Sequence, residues 1–512
     1  MISKITLIGI LIAIYIPLSL LDYNHFPYSD GAEHGAAVRE LAKNLVHPGD
    51  PMLANHPGDS PRFVPSILVM ALFMKLLHCD VLVILKLFLT IYFSLFLLAA
   101  ALFSREYFND EGQVPWSLLF PLFFWGLGWT GANAYMFSAL LYTAYFPSVV
   151  SFSLSLLALY FQLRFLRNKK ALFFAAEILC ASLAFVNHPL TGVFFFICSG
   201  LIHIEKKALG KKMLYRYVIT ATTALLLTVL WPYYSFFANL FKIVTGEMAQ
   251  AADYYTTRTY LYSKVLLRSG PVFLGIPFVI LFVWQKRYPL LVGSFACFSL
   301  FYLAGYVFKI SLAERFIFFI IFTLQMAVSR ICREWFSQSV PTLHLRVKKI
   351  TAWLFLLLLI MGTGIQLVLV YTKFISPSFE RTAGFTFPGY VNPNAIQMEL
   401  RKYLDEGDVV LSDIYSSWSL PVYTGAKVIA LFHTPPNVDD NAERIKVVET
   451  FYDGATGCEE RMKIVKEYGV THIFINYQIT GNEIESVLKE MPLSVIAQNE
   501  FFSLFSVPSN SP

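Results

Sequence analysis

Apolar residues run along this chain in blocks too long for a soluble core. Blocks long enough to cross a bilayer, roughly 15–25 residues each, fall at 4–21, 63–78, 80–103, 115–129, 131–146, 147–164, 170–187, 190–204, 216–238, 270–285, 288–306, 313–330 and 350–372. The pattern predicts a mostly α-helical, polytopic membrane bundle of about thirteen transmembrane helices. The block from Gly131 to Phe146 suits either a span or a re-entrant helix. After Tyr371 the pattern changes. Asp408–Asp413, Ala426–Leu431 and His472–Asn476 read as short buried strands, and Ala395–Leu404 and Cys458–Tyr468 have helical period. Strands alternating with helices predict a small α/β domain over 373–512, following a membrane domain over 1–372. No Gly-rich loop opens any of these helices, so nothing supports nucleotide binding. No internal repeat or low-complexity segment stands out.

Composition sharpens the picture. Hydrophobic residues make up 56% of the chain, charged residues 14% and aromatic residues 16%. A soluble domain carries about 25% charge, so that class is excluded. The net charge of +6 needs no nucleic acid, because the basic residues cluster in short loops between apolar blocks. The six cysteines lie mostly in or beside apolar blocks with no metal-type spacing, which supports neither a disulfide framework nor a cysteine zinc site. Met1–Leu21 has a basic residue, Lys4, and an apolar core without a small-x-small cleavage site, and reads as a retained signal anchor.

Charge also predicts topology. The loops 164–170, 205–216, 285–287 and 330–349 are basic and are expected on the cytoplasmic side. The acidic loop from Arg105 to Gln113 then falls outside if 115–164 holds three crossings. That count puts the N-terminus inside and the tail after Tyr371 outside. The external face would carry the 22–62 loop, the Asn187-His188-Pro189 turn, the 239–269 segment and the tail.

The first of these loops is the densest in chemistry. It holds His25, Asp30, Glu33, His34, His47, His56 and Arg62. Ionisable groups at the edge of hydrocarbon are usually kept for function. Asp30 and Glu33 suit a carboxylate that acts on an acceptor, as general base or through a metal. The same spacing, Asp30-x-x-Glu33 before a helical run, also reads as a capping box. Four of the ten histidines in one loop suggest contact with a metal or substrate, although no zinc signature matches, so a divalent cation stays open. His188 suits either a cavity wall or a polar turn broken by Pro189. Arg315, beside Glu314 at the outer start of an apolar block, suits a lipid phosphate gripped bidentately, or else a local pairing with Glu314 or snorkelling to the interface. The 239–269 segment interleaves Tyr254, Tyr255, Arg258, Tyr260, Tyr262, Lys264 and Arg268, as a headgroup lid or an interfacial helix would.

The layout of a first helix, a large acidic external loop, a multipass bundle and an external C-terminal domain resembles the GT-C superfamily of membrane glycosyltransferases. Tyr28-Ser29-Asp30-Gly31-Ala32-Glu33 stands where that family keeps its catalytic acidic motif, and Arg315 where several members hold a lipid phosphate. Val409-Val410-Leu411-Ser412-Asp413, Tyr423-Thr424-Gly425 and Tyr468-Gly469-Val470 are similar to the α/β tails of prokaryotic relatives. The chain lacks the paired Asp-Glu of protein mannosyltransferases and the WWD-type motif of oligosaccharyltransferases. The resemblance implies an inverting glycosyltransferase of the cell envelope. It would take a sugar from a polyprenyl-phosphate donor to a glycan, lipid or protein acceptor on the extracytoplasmic face. Asp30 would be the base, assisted by Glu33 and His188. Arg315, Arg258, Tyr255 and Lys264 would hold the donor phosphate, with His34, His25 and Arg62 nearby. A lipid-linked glycan transporter is the alternative from another class, although no inverted repeat marks one. A non-catalytic subunit of a polysaccharide-assembly complex is a third.

Overall fold

The computed structural model describes residues 4–20, 26–27, 30–127, 134–206, 210–239, 261–310, 312–337, 343–372, 393–432, 438–481 and 483–508. The chain divides into two compact units. One holds 1–21, 86–231 and 236–371, and the other holds 22–85, 232–235 and 372–512.

The first unit is a helix bundle. Every apolar block contains a helix, but six helices among the described residues are long and apolar enough to cross a membrane. They are Val81–Phe108, Pro147–Asn168, Val265–Trp284, Pro289–Phe308, Ala313–Ser337 and Val347–Val370. Lys4–Leu20, Ala171–Asn187 and Pro189–Glu205 are apolar but shorter, at 17 residues each. The blocks 115–129 and 131–146 yield Val114–Phe123 and Phe137–Thr143, of 10 and 7 residues. At 1.5 Å per residue neither alone spans a core about 30 Å thick, so among the described residues the expected count of about thirteen spans is not reached. Trp284, Val307 and Phe308 are exposed on long helices, as side chains in lipid are. The interior is aromatic. Phe152 packs on Phe194, Phe319 and Phe322 at centroid distances of 5.0–6.0 Å, and the Tyr135 hydroxyl donates to the Phe318 carbonyl at 2.7 Å.

Charged residues of this unit gather at one end. Glu106 pairs with Arg167 at 3.0 Å and Arg164 at 3.5 Å. Asp110 pairs with Arg330 at 3.1 Å and Arg333 at 3.3 Å. Glu334 takes Arg330 at 2.8 Å and also Arg287. Burial opposes the charge on Asp110, but the Arg333 and Arg330 guanidiniums and the Gly112 N–H outweigh it and hold the carboxyl below its usual range. These contacts correct the expectation for the 105–113 loop. Ion pairs near 3 Å cannot reach across hydrocarbon, so this acidic loop shares a face with the basic loops. The stretch 115–164 therefore holds an even number of crossings.

The second unit joins the first loop to the tail. Its sheet has the order β2-β1-β3-β5-β4, with β1 Val409–Leu411, β2 Lys427–Val428, β3 His472–Asn476, β4 Ser494–Gln498 and β5 Phe502–Ser506. The pairs β1–β2 and β1–β3 are parallel, while β3–β5 and β4–β5 are antiparallel. Three strands lie within the predicted runs, and β4 and β5 were not anticipated. Helices Asn441–Tyr452 and Cys458–Tyr468 join the parallel strands, burying Leu411, Val448, Phe451, Ile473 and Phe505 in one core. The first loop extends this sheet. Leu53 bridges Val428 in parallel, with Ala54 N–H donating to the Val428 carbonyl at 2.9 Å and Val428 N–H to Met52 at 2.8 Å. The helix Pro65–Leu77 has 13 residues. Its chain neighbours Leu53 and Asp80 both bond tail residues, so this predicted span does not cross.

Candidate functional site

The head of the first loop forms the helix Gly31–Lys43, whose small residues Gly31, Ala32, Ala36 and Ala37 are all buried. Small side chains let this helix pack closely. A Cβ on Gly35 would meet the Val422 side chain at 2.3 Å. Asp30 stands at the N-cap but has helical dihedrals, φ −53° and ψ −12°, and its carboxylate makes no capping hydrogen bond. Capping side chains normally need an extended backbone at that position. This corrects the capping role read for Asp30. Asp30 is half-buried, and its carbonyl accepts the His34 N–H at 3.0 Å. Glu33 is buried, its side chain 1% exposed, and it pairs with the Arg62 guanidinium. His34 is buried too. The turn carrying Arg62 is set by Ser60, whose N–H donates to the Tyr233 carbonyl at 3.2 Å, while Phe63 packs edge-on to Tyr233 at 5.9 Å.

The other loop histidines go elsewhere. His47 is exposed. His56 pairs through Nδ1 with Asp50 at 2.8 Å, and that hydrogen bond raises its pKa above the usual value despite burial. His25 lies outside the described residues. Among the described residues no three His, Cys, Asp or Glu side chains converge on a metal position.

His188 caps the helix Pro189–Glu205, where its Nδ1 accepts from Thr191 N–H at 3.2 Å and meets Thr191 Oγ1 at 2.7 Å. This matches the polar-turn alternative. Arg315 is half-buried in the 3-10 turn Ala313–Phe316. It forms no ion pair with Glu314, and its guanidinium bonds no described residue. The local-pairing alternative is thereby removed. Lys264 is exposed and flanks the helix Val265–Ser269 at φ +51°. Nearby Tyr262 packs on Tyr302 at 4.5 Å and Tyr306 at 5.1 Å. Tyr255 and Arg258 lie outside the described residues, as do Tyr254 and Tyr260.

Sequence reasoning missed the residues that fasten the loop to the tail. Arg39 pairs with Asp80 at 3.2 Å and Glu406 at 3.3 Å, and donates to the Val422 and Tyr423 carbonyls at 2.9 and 3.1 Å. Lys427 pairs with Glu40 at 2.7 Å. Arg444 donates to the Ala54 and Ile429 carbonyls at 2.9 and 3.1 Å. The adjacent charges Arg39-Glu40, in the second half of a helix rich in alanine and glycine, were the available signal.

No family model matches the chain, and no curated protein matches it. Solved structures do. The chain aligns with ArnT from Cupriavidus metallidurans in the apo state over 98% of its own length and 97% of that chain, with 13% identity and TM-score 0.53. It aligns with an oligosaccharyltransferase of Archaeoglobus fulgidus, in complex with Zn and sulfate, over 92% of its length and 68% of that chain, at 13% identity and TM-score 0.52. The arabinofuranosyltransferase AftD from Mycobacteria matches over 98% of this chain and 40% of its own, at 13% identity and TM-score 0.54. These alignments run through both compact units and match the layout expected from the resemblance. The chain therefore has the fold of the GT-C membrane glycosyltransferases.

Proposed function

We propose that this protein is an integral membrane glycosyltransferase that moves a sugar from a polyprenyl-phosphate donor to an acceptor on the extracytoplasmic face. The observation that carries the reading is Asp30. It is half-buried where Glu33 is buried and paired with Arg62, and its side chain makes no capping hydrogen bond at the start of the helix. In an inverting transfer Asp30 accepts the proton of an acceptor hydroxyl while that oxygen bonds the sugar C1. The C1–oxygen bond to phosphate breaks, and the phosphate leaves with the electron pair. Phosphate is already a good leaving group, so positioning and charge stabilisation supply most of the rate. Glu33, fixed by Arg62, supports the motif, with His34 packed beside it in the same helix. Arg315 is assigned to the donor phosphate because a guanidinium with no partner among the described residues can take one bidentately. Lys264, Arg258 and Tyr255 are assigned to the same phosphate. His188 is assigned an assisting role through the turn that it caps.

The topology that goes with this reading puts residues 22–85 and the tail outside. The basic loops mark the inner face, and the final helix Leu343–Val370 leads outward from it.

Asp30→Asn tests the chemistry. Asn is isosteric and helix-compatible at this position, so folding should be kept. Transfer from a lipid-linked donor should fall by about 100-fold or more. Wild-type rates in this variant would remove Asp30 as the base. Donor movement across the bilayer without transfer would favour the transporter.

A further inference from the structure

The tail carries a topological switch point that the transfer chemistry does not use. The chain leaves β1 towards β2 on one side and leaves β3 towards β4, beyond β5, on the other, so the carboxyl ends of β1 and β3 form a switch point. Ligands of open α/β sheets bind at such points. Asp413, just past β1, uses Oδ1 to accept the Tyr415 and Ser416 N–H groups at 3.0 and 2.9 Å. Its other oxygen, Oδ2, is buried and makes no hydrogen bond, in a residue only 7% exposed. Asn476, ending β3, donates to Ser416 Oγ at 3.1 Å, and Gln397 donates to the Ser416 carbonyl at 3.1 Å. Gln397 Oε1 is likewise buried without a partner, in a residue 1% exposed. Beside these acceptors stands an aromatic platform. Phe432 lies 4.3 Å from Trp418 and 5.7 Å from Tyr415, nearly parallel to the latter at 25°. Tyr415 is 53% exposed.

Two buried acceptors want hydroxyl donors, and an exposed aromatic face wants C–H groups. An anion is repelled by the carboxylate. A cation would need a third acidic or imidazole ligand, and none converges here among the described residues. A sugar ring offers hydroxyls along its edge and C–H bonds on its face. We propose that the Asp413–Tyr415 switch point is a carbohydrate subsite that binds a neutral sugar residue of the acceptor. That the sugar belongs to an acceptor rests on the transferase reading above. The binding itself does not.

Saturation-transfer NMR on the full-length protein in nanodiscs tests it. The probes are the methyl glycosides of glucose, galactose and mannose, with no donor present. At least one should receive saturation on its ring protons. Tyr415→Ala should weaken its binding about tenfold, and Asp413→Asn, which keeps the turn but loses the acceptor charge, by a similar factor. Tyr415→Phe should bind within about twofold of wild type, because the ring is kept. Should Asp413→Asn fail to fold, the Tyr415 pair decides, since that side chain is exposed. No saturation of any probe, or equal binding by wild type and Tyr415→Ala, overturns the subsite. Transfer by wild type but not Asp30→Asn, with no glycoside bound, would sink the subsite and leave the transferase. Glycoside binding without any transfer would do the reverse.

Discussion

The carboxylate of Asp80 pairs with the guanidinium of Arg401, 321 residues further along, while also holding Arg39. One acid thus ties the amphipathic helix of the first loop to the residue that follows the helix Pro393–Leu400. Asp80→Asn should leave Arg401 without this countercharge and Arg39 with Glu406 alone. Because Asp80 is 26% exposed, the cost should be modest, about 1–2 kcal/mol. A lowered thermal midpoint of the purified protein would report it. Combining Asp80→Asn with Arg401→Gln should cost less than the sum of the two single changes.

Arg315 offers a separate readout. Arg315→Ala should weaken binding of polyprenyl phosphate by about tenfold or more, and Arg315→Lys should restore part of it, since a point charge cannot reproduce a planar fork. Stability should change little, because no described side chain depends on that guanidinium. Titration of wild type and variants with the phosphate in nanodiscs checks both statements. Equal binding by wild type and Arg315→Ala would retire the assignment.

Membrane sidedness is testable through two half-buried cysteines, Cys79 and Cys458. Both belong to the unit that contains the first loop and the tail. In single-cysteine variants each should react with a membrane-impermeant thiol reagent in intact spheroplasts, after mild unfolding where needed. Asn109→Cys, in the loop that shares a face with the basic loops, should react only after permeabilisation. The opposite pattern would invert the topology.

His56 makes the attachment of the first loop sensitive to pH. Its pKa is raised in the folded protein by the Asp50 hydrogen bond. A raised value stabilises the fold fully below the unfolded pKa of about 6.5, and that contribution is lost as pH climbs through the folded value. Wild type should therefore exceed His56→Gln in stability by about 1 kcal/mol near pH 6, with the gap shrinking by pH 8.5. Denaturation of both proteins at the two pH values measures it. A gap that widens with pH would contradict the assignment.

Much of this architecture is local in origin. Long apolar blocks become helices wherever they occur, because backbone groups in hydrocarbon must bond within their own segment. Cys458–Tyr468 and His472–Asn476 appear at their expected bounds, since periodicity and β-branched content act over a few residues. The acidic motif was legible because charge beside a membrane helix is costly. Other features came from contacts between distant parts of the chain. β4 has the burial pattern of an exposed edge strand, with little apolar alternation to betray it, and it exists only because β5 pairs with it. The parity of the crossings in 115–164 depended on which loops share an end of the bundle, and Glu106 and Asp110 decide it by finding arginines on two later helices. Pro65–Leu77 is apolar enough to suggest a span, yet Leu53 and Asp80 on either side of it bond the tail. Asp30 and Glu33 look alike as letters. Burial separates them, with Glu33 enclosed against Arg62 and Asp30 only half-buried, and it arises only when the loop folds back on itself.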